Sequence, residues 1–275
     1  MKNIFKLALT GLVAASAAVG LTSCGSKWKP LAEDVTTIRI AASASPHAEI
    51  LEIAKPLYEA KGYKLEIKVY TDYVQPNNAT EDGSVDANYF QHLPYLESFN
   101  KEHNTHLVSA GKVHYEPFAI YKGKKASLDE LAEGDKIIVP NDTTNEARAL
   151  NLLAENGLIT LKENVGLKAT KLDITSNPYK LDIVEIEAQQ IASNRNDAAF
   201  AVINGNYALE AGLTSADAVK YESSTGLAAT TFGNVLCVHE GNENHKAIKA
   251  LYEVLTSETV KKEIEKKYNG AVLPL

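Results

Sequence analysis

Catalytic signatures are missing from this 275-residue sequence: it has no G-x-S-x-G, no P-loop, no G-x-G-x-x-G and no H-E-x-x-H. Cysteine is nearly absent too, with two residues in the chain. One of them, Cys237, sits in the apolar run "VLCV", where a thiol behaves as a small hydrophobe and makes a poor nucleophile. Basic blocks are lacking and the formal net charge is −7, which argues against a nucleic-acid partner. Beyond the first two dozen residues no long apolar run occurs. These absences leave a globular, acidic body suited to binding, with no chemistry of its own written in a motif.

What is present begins at the N-terminus. Lys2 and Lys6 precede "LALTGLVAASAAVGL" (Leu7 to Leu21), and "LTSC" follows, ending at Cys24. A basic start, an apolar stretch of about 15 residues and small residues before a cut site describe a secretory signal, too short for a membrane span of roughly 20 residues. The small residues leading into Cys24 resemble a bacterial lipobox, which implies cleavage after residue 23 and lipidation of Cys24. Removing residues 1–23 takes Lys2 and Lys6 away and makes the remainder still more acidic. Residues 24–36 read as a lipidated polar tether, with Trp28 on the tether instead of in the core.

From Thr37 onward, strand-like and helix-like segments alternate, which implies α/β layers with helices covering the sheets. "TIRIAAS" and "YKLEIKVYTD" read as strands, and "HAEILEIAKPLYEAKG" carries Ile50, Ile53, Ala54 and Leu57 at helical spacing. "KIIVP" and "AAFAVI" are continuous apolar runs suited to strands buried on both faces. Thr256 and Ser257 interrupt the C-terminal helix and cap a second one. The pattern falls into two blocks joined near Pro117–Tyr121 and again before Phe232. The expected lobes are residues 37–120 with 231–275, and residues 121–230. Ligands of open α/β sheets bind beyond the carboxyl ends of the strands, so two facing lobes make a cleft there.

Arg148 in "VPNDTTNEARAL" is placed oddly for a cation, close to a helix N-terminus that already carries partial positive charge. Thr143 and Glu146 fit a capping box, so the helix is expected to start near Thr143, with Asn145 and Arg148 on one face. Free backbone N–H groups, an amide and a guanidinium would together receive a carboxylate. The alternative is a salt bridge from Arg148 to Glu155 or Glu146. In "DANYFQHLPYL", Phe90 and His92 share one side of an extended segment. They form either core packing or an aromatic wall, to which Tyr73 of "TDYVQPN" could add a ring. Asn204 and Asn234 follow strand-like runs, as turn residues or as ligand hydrogen bonds. His103 and His106 in "HNTH" end a polar helix without evident carboxylate partners, so no metal is expected there, and no cofactor elsewhere.

Taken together, "ASPHAEIL", "DYVQPN", "DANYFQHLPYL", "SLDEL", "VPNDTTNEARALNLL", "GLITLK" and "AVINGNYA" resemble the MetQ/NlpA family of methionine-binding lipoproteins that serve ABC importers. The resemblance runs from about Ala44 to Leu213, with a weaker tail. It implies a two-lobed, type II solute-binding fold, lipid-anchored outside the cytoplasm, that closes over one amino acid and delivers it to permease and ATPase subunits. It also implies that Arg148 holds the ligand carboxylate with Asn145 beside it, that Phe90, His92 and Tyr73 contact the side chain, and that Asn204 and Asn234 supply amides. In "TTFGN", Phe232 stands where the family has tyrosine and Thr231 where proline is common, which bears on Asn234 and on the ligand. A methionine-containing dipeptide or another small amino acid is the alternative ligand; an enzyme or an adhesin on the same scaffold are alternative functions.

Overall fold

The computed structural model describes residues 28–223 and 230–275. The expected signal segment 1–23, Cys24 and the start of the tether lie outside the described residues. The strands are β1 (Thr37–Ser43), β2 (Lys64–Tyr70), β3 (Ala87–His92), β4 (Leu107–Tyr115), β5 (Ala119–Lys122), β6 (Lys136–Pro140), β7 (Thr160–Leu161), β8 (Ile174–Ser176), β9 (Asp182–Ile186), β10 (Phe200–Ile203), β11 (Ala218–Tyr221), β12 (Asn234–His239) and β13 (Leu273–Pro274). The helices are α1 (Glu49–Glu59), α2 (Gln75–Glu81), α3 (Leu93–His103), α4 (Thr143–Glu155), α5 (Ala188–Asn194), α6 (Gly205–Glu210), α7 (Lys246–Leu255) and α8 (Glu258–Tyr268). The last two part where expected: Ser257 Oγ accepts from the backbone N–H of Val260 and starts α8 afresh.

Two large sheets result, one per lobe, beside a separate two-stranded pair of β7 and β8. The first runs β13-β4-β12-β3-β1-β2, the second β11-β5-β10-β6-β9. Within each, the strands joined through helices are parallel: β1 with β2 and β3, β6 with β9 and β10. Strand β12 comes back from the far end of the chain and pairs antiparallel with both β3 and β4, so the first sheet is closed by residues beyond the second. The chain therefore crosses between sheets twice. The first crossing, Glu116–Phe118, comes earlier than the boundary expected after residue 120, because Ala119 already pairs with Ile203 in the second sheet.

Each sheet has its own apolar core. On the first, α1 buries Ile50, Leu51, Ala54 and Tyr58 against Ile248, Leu251 and Leu255 of α7. On the second, Ala147, Leu150 and Leu153 of α4 pack on Ile137, Val139 and Val202. Burying each large aliphatic side chain stabilises the fold by roughly 1.5–3 kcal/mol before chain entropy is subtracted. The continuous runs of β6 and β10 are buried on both faces, as their lack of alternation requires. Leu31 N donates to Asn242 Oδ1 and Trp28 stacks on His239 at 3.7 Å, so this part of the tether packs against the first lobe.

Candidate functional site

The carboxyl ends of β3, β6 and β10 converge on one cavity, and every residue singled out for ligand contact lines it: Tyr73, Phe90, His92, Asn145, Arg148, Asn204 and Asn234. The empty space there, including its part open to solvent, is about 350 Å³. The cavity is a narrow slot. Its walls come from local sequence in a simple way: β3 delivers Phe90 and His92, the turn after β6 starts α4, and the turn after β10 starts α6.

The cap of α4 is Asp142, not Thr143. Asp142 Oδ1 accepts from the backbone N–H of Asn145 at 3.0 Å, so the capping frame lies one residue earlier than the Thr143/Glu146 pattern suggests. Both Asp142 oxygens also take the Asn145 amide N–H₂, at 2.9 and 3.0 Å. That fixes the rotamer of Asn145 and turns its Oδ1 toward the cavity. There it accepts from His92 Nε2 at 3.0 Å and from Asn204 Nδ2 at 2.9 Å. His92 Nδ1 meanwhile caps α3, accepting from Tyr95 N at 3.1 Å. Its ring nitrogens are thus both engaged and the tautomer is set, with the proton on Nε2. Burial, and then the nearby charge of Arg148, push the His92 pKa down to about 3. Asn145 and His92 organise the site, and their polar atoms are already committed.

Arg148 is 6% exposed and does not bridge to Glu146 or Glu155. Its partner is Glu222, on the second crossing: Nε donates to Oε2 at 2.9 Å and Nη2 to Oε1. Nη2 also reaches the carbonyl of Glu116 at 3.0 Å. Two rings sandwich the guanidinium, Phe232 at 4.1 Å and Phe118 at 4.7 Å. Phe232 also meets His92 edge-on at 5.2 Å, so the residue that departs from the family pattern packs directly on the site. Among the described residues no hydrogen bond engages Nη1.

A buried acid faces the same slot. Glu116 Oε1 accepts from His114 Nε2 at 2.7 Å, and His114 Nδ1 takes the Tyr89 hydroxyl. His47 Nε2 donates to Asn234 Oδ1 at 3.0 Å and lies 3.4 Å from Glu116 Oε1. Burial lowers the pKa of His47 to about 4 and of His114 to about 3, and raises that of Glu116. Both imidazoles are neutral, so neither forms an ion pair with Glu116. The backbone N–H of Asn206 points to the carboxylate, and Oε2 of Glu116 is turned toward the start of α6. It lies against Gly205, where an added Cβ would stand 2.8 Å from it. Among the described residues, Asn204 Oδ1 and Asn206 Nδ2 are buried without a hydrogen-bond partner. Aromatic rings add an apolar wall: Tyr73 contacts Phe90 at 5.8 Å and Tyr95 at 5.6 Å, and its hydroxyl donates to Asn206 Oδ1 at 2.6 Å.

The slot therefore offers a guanidinium N–H, a carboxylate oxygen, an amide oxygen and N–H₂, together with aromatic faces. That combination suits a small zwitterion with an apolar tail. Glu116, Glu222, Tyr95 and Asn206 were not singled out in the sequence. Asn206 stands two positions after Asn204 in "AVINGNY", and Glu116 in "YEPF"; neither position carries a local signal beyond its neighbours.

The model of the NlpA lipoprotein family matches residues 38–275. The methionine-binding lipoprotein MetQ of Bacillus subtilis is 43% identical over 98% of each chain. Among solved structures, a protein of Ruminococcus gnavus superposes with a TM-score of 0.87 at 59% identity, covering 88% of this chain and 100% of its own. A nutrient-binding protein from Burkholderia cenocepacia bound to methionine superposes with a TM-score of 0.82 at 38% identity, covering 86% of this chain and 99% of its own.

Proposed function

Because this chain belongs to the NlpA lipoprotein family, we propose that it is the lipid-anchored substrate-binding protein of an ABC importer and that it traps methionine between its lobes. The observation that carries the reading is the lining of the slot: Arg148, Glu116 and Asn204 supply charge and amide groups, and Tyr73, Phe90 and Tyr95 supply rings. In this reading the ligand carboxylate takes Nη1 of Arg148 and its ammonium takes Glu116 Oε2 and Asn204 Oδ1. The thioether lies among the rings, where sulfur–aromatic contact is favourable. Asn145 and His92 hold these groups in place, and Asn234 acts through His47. Cys24 carries the lipid, and no helix among the described residues is long and apolar enough to cross a membrane. With the crossing at Glu116–Phe118 as the first boundary, the lobes are residues 37–115 with 231–275, and 119–230.

Methionine has about 9 heavy atoms, so a ceiling near 1.5 kcal/mol per atom allows at most roughly 13 kcal/mol. Micromolar to nanomolar binding needs about 8 to 12 kcal/mol. Nearly every atom must therefore be contacted, which a slot this narrow favours. Native mass spectrometry of the purified protein tests the reading by the mass of whatever co-purifies. Calorimetry with L-methionine, D-methionine and a methionine dipeptide then ranks the ligands. A dipeptide bound at least tenfold tighter than either amino acid would replace methionine as the ligand. Binding of none of these, or turnover of any of them, would overturn the reading.

A further inference from the structure

A second cluster lies apart from the slot, on the outer part of the first lobe. Glu81 ends α2, His106 precedes β4 and His239 ends β12. The carboxylate of Glu81 stands between the two imidazoles: Oε1 is 2.8 Å from His106 Nδ1, and Oε2 is 3.8 Å from His239 Nε2. The second distance is too long for a hydrogen bond. One donor atom from each residue lies within 4.8 Å of the other two. His106 thus does have a carboxylate neighbour, brought from 25 residues away by the fold.

We propose that Glu81, His106 and His239 form a binding site for Zn²⁺. His239 Nδ1 contacts the carbonyl of Glu240 at 3.1 Å, which places its proton there and leaves the Nε2 lone pair facing Glu81. Such a backbone contact on the far ring nitrogen is what orients a metal-binding histidine. The ring is further held by Trp28, stacked on it at 3.7 Å with the planes 13° apart. Glu81 is oriented in turn by the backbone N–H of His106, which donates to Oε2 at 2.8 Å. Two imidazoles and one carboxylate are a borderline-soft set that suits Zn²⁺ better than Ca²⁺ or Mg²⁺. Tetrahedral coordination at about 2.0–2.1 Å sets donors roughly 3.4 Å apart. The cluster reaches that with a small turn of His106, whose side chain is 56% exposed. The same exposure leaves a fourth position to water. An ion here would tie α2, β4 and β12 to the segment that leads toward the N-terminus.

Trp28 is the only tryptophan of the chain, so its emission reports on the ring it stacks against. Zn²⁺ titration of the purified protein, followed by calorimetry and by Trp28 emission, is expected to show one equivalent bound with a spectral change. His106→Ala and Glu81→Gln should each weaken Zn²⁺ binding by about tenfold or more and abolish the emission change. His103→Ala, in the same "HNTH" stretch but outside the cluster, should leave both intact. Absence of Zn²⁺ binding to the unmodified protein overturns the proposal. So does unchanged affinity in His106→Ala, or loss of binding in Glu116→Gln instead, which would put the ion at the buried His47/His114/Glu116 group. Both altered side chains in the first pair are surface-accessible, and circular dichroism separates loss of the site from loss of the fold.

Discussion

Arg148 is held by Glu222 on one edge, so a ligand carboxylate would approach a guanidinium already neutralised by the protein. Arg148→Ala should weaken methionine binding by about 2–5 kcal/mol in calorimetry, since the carboxylate would be buried unpaired. Glu222→Gln should behave differently. It breaks a buried pair, a change that typically costs about 3–5 kcal/mol, so the protein without ligand melts lower. Methionine should then raise the melting temperature more than in the parent, because its carboxylate takes over the role of Glu222. An equal or smaller ligand-induced shift would argue against that exchange. The histidines offer a separate check. With pKa values near 4 for His47 and near 3 for His92 and His114, all three should stay neutral at pH 5 in an NMR titration. An imidazole titrating near 6.5 would contradict its environment. The linked stability has a definite sign: the unfolded chain takes up these protons first, so their contribution is lost as pH falls from about 6.5 toward about 3–4. Glu146, raised to about 7 by burial and by Glu185, contributes oppositely, losing stability as pH rises through that value. Of these groups only Arg148 and the aromatic stretch announced themselves in the sequence. Glu222 stands 74 residues from Arg148 in a segment with no periodicity, and nothing local foretells that pairing.

At the scale of the element, α4 brings Asn145 and Arg148 to the site, and Asp142 does two jobs for it. It caps the helix and locks the amide of Asn145. Asp142→Ala should cost about 1 kcal/mol of stability in denaturant titration from the cap alone. It should also weaken ligand binding, because Asn145 no longer presents its oxygen to His92 and Asn204. A loss of stability with unchanged affinity would assign Asp142 to the cap only. The helix was readable from its apolar spacing, and so were the buried strands β6 and β10. The cap was displaced because Thr-x-x-Glu and Asp-x-x-Asn overlap here, and the charged Asp142 carboxylate takes the third N–H. The recapping at Ser257 was legible because no competing frame surrounds it. The insertion of β12 between β3 and β4 was not, since strand order is decided by contacts far apart in the chain.

For the whole molecule, the slot is lined by residues of both lobes, so a guest bound there holds them together. Methionine present at about a hundredfold excess over its Kd should then add roughly 2.7 kcal/mol to the unfolding free energy, read from urea titration. A smaller gain at confirmed saturation would mean that the ligand also binds unfolded or partly open chains. The two crossings are themselves joined: Glu222 N donates to Phe118 O at 2.8 Å, and Phe118 N to Glu222 Oε1 at 2.9 Å. Glu116 stands on one of these connectors and Glu222 on the other. Bending that parts the sheets therefore tugs on the very carboxylates that flank Arg148. Lever and latch are one piece of backbone, so occupancy can alter the outline of the molecule without any relay of side chains between a distant sensor and the joint.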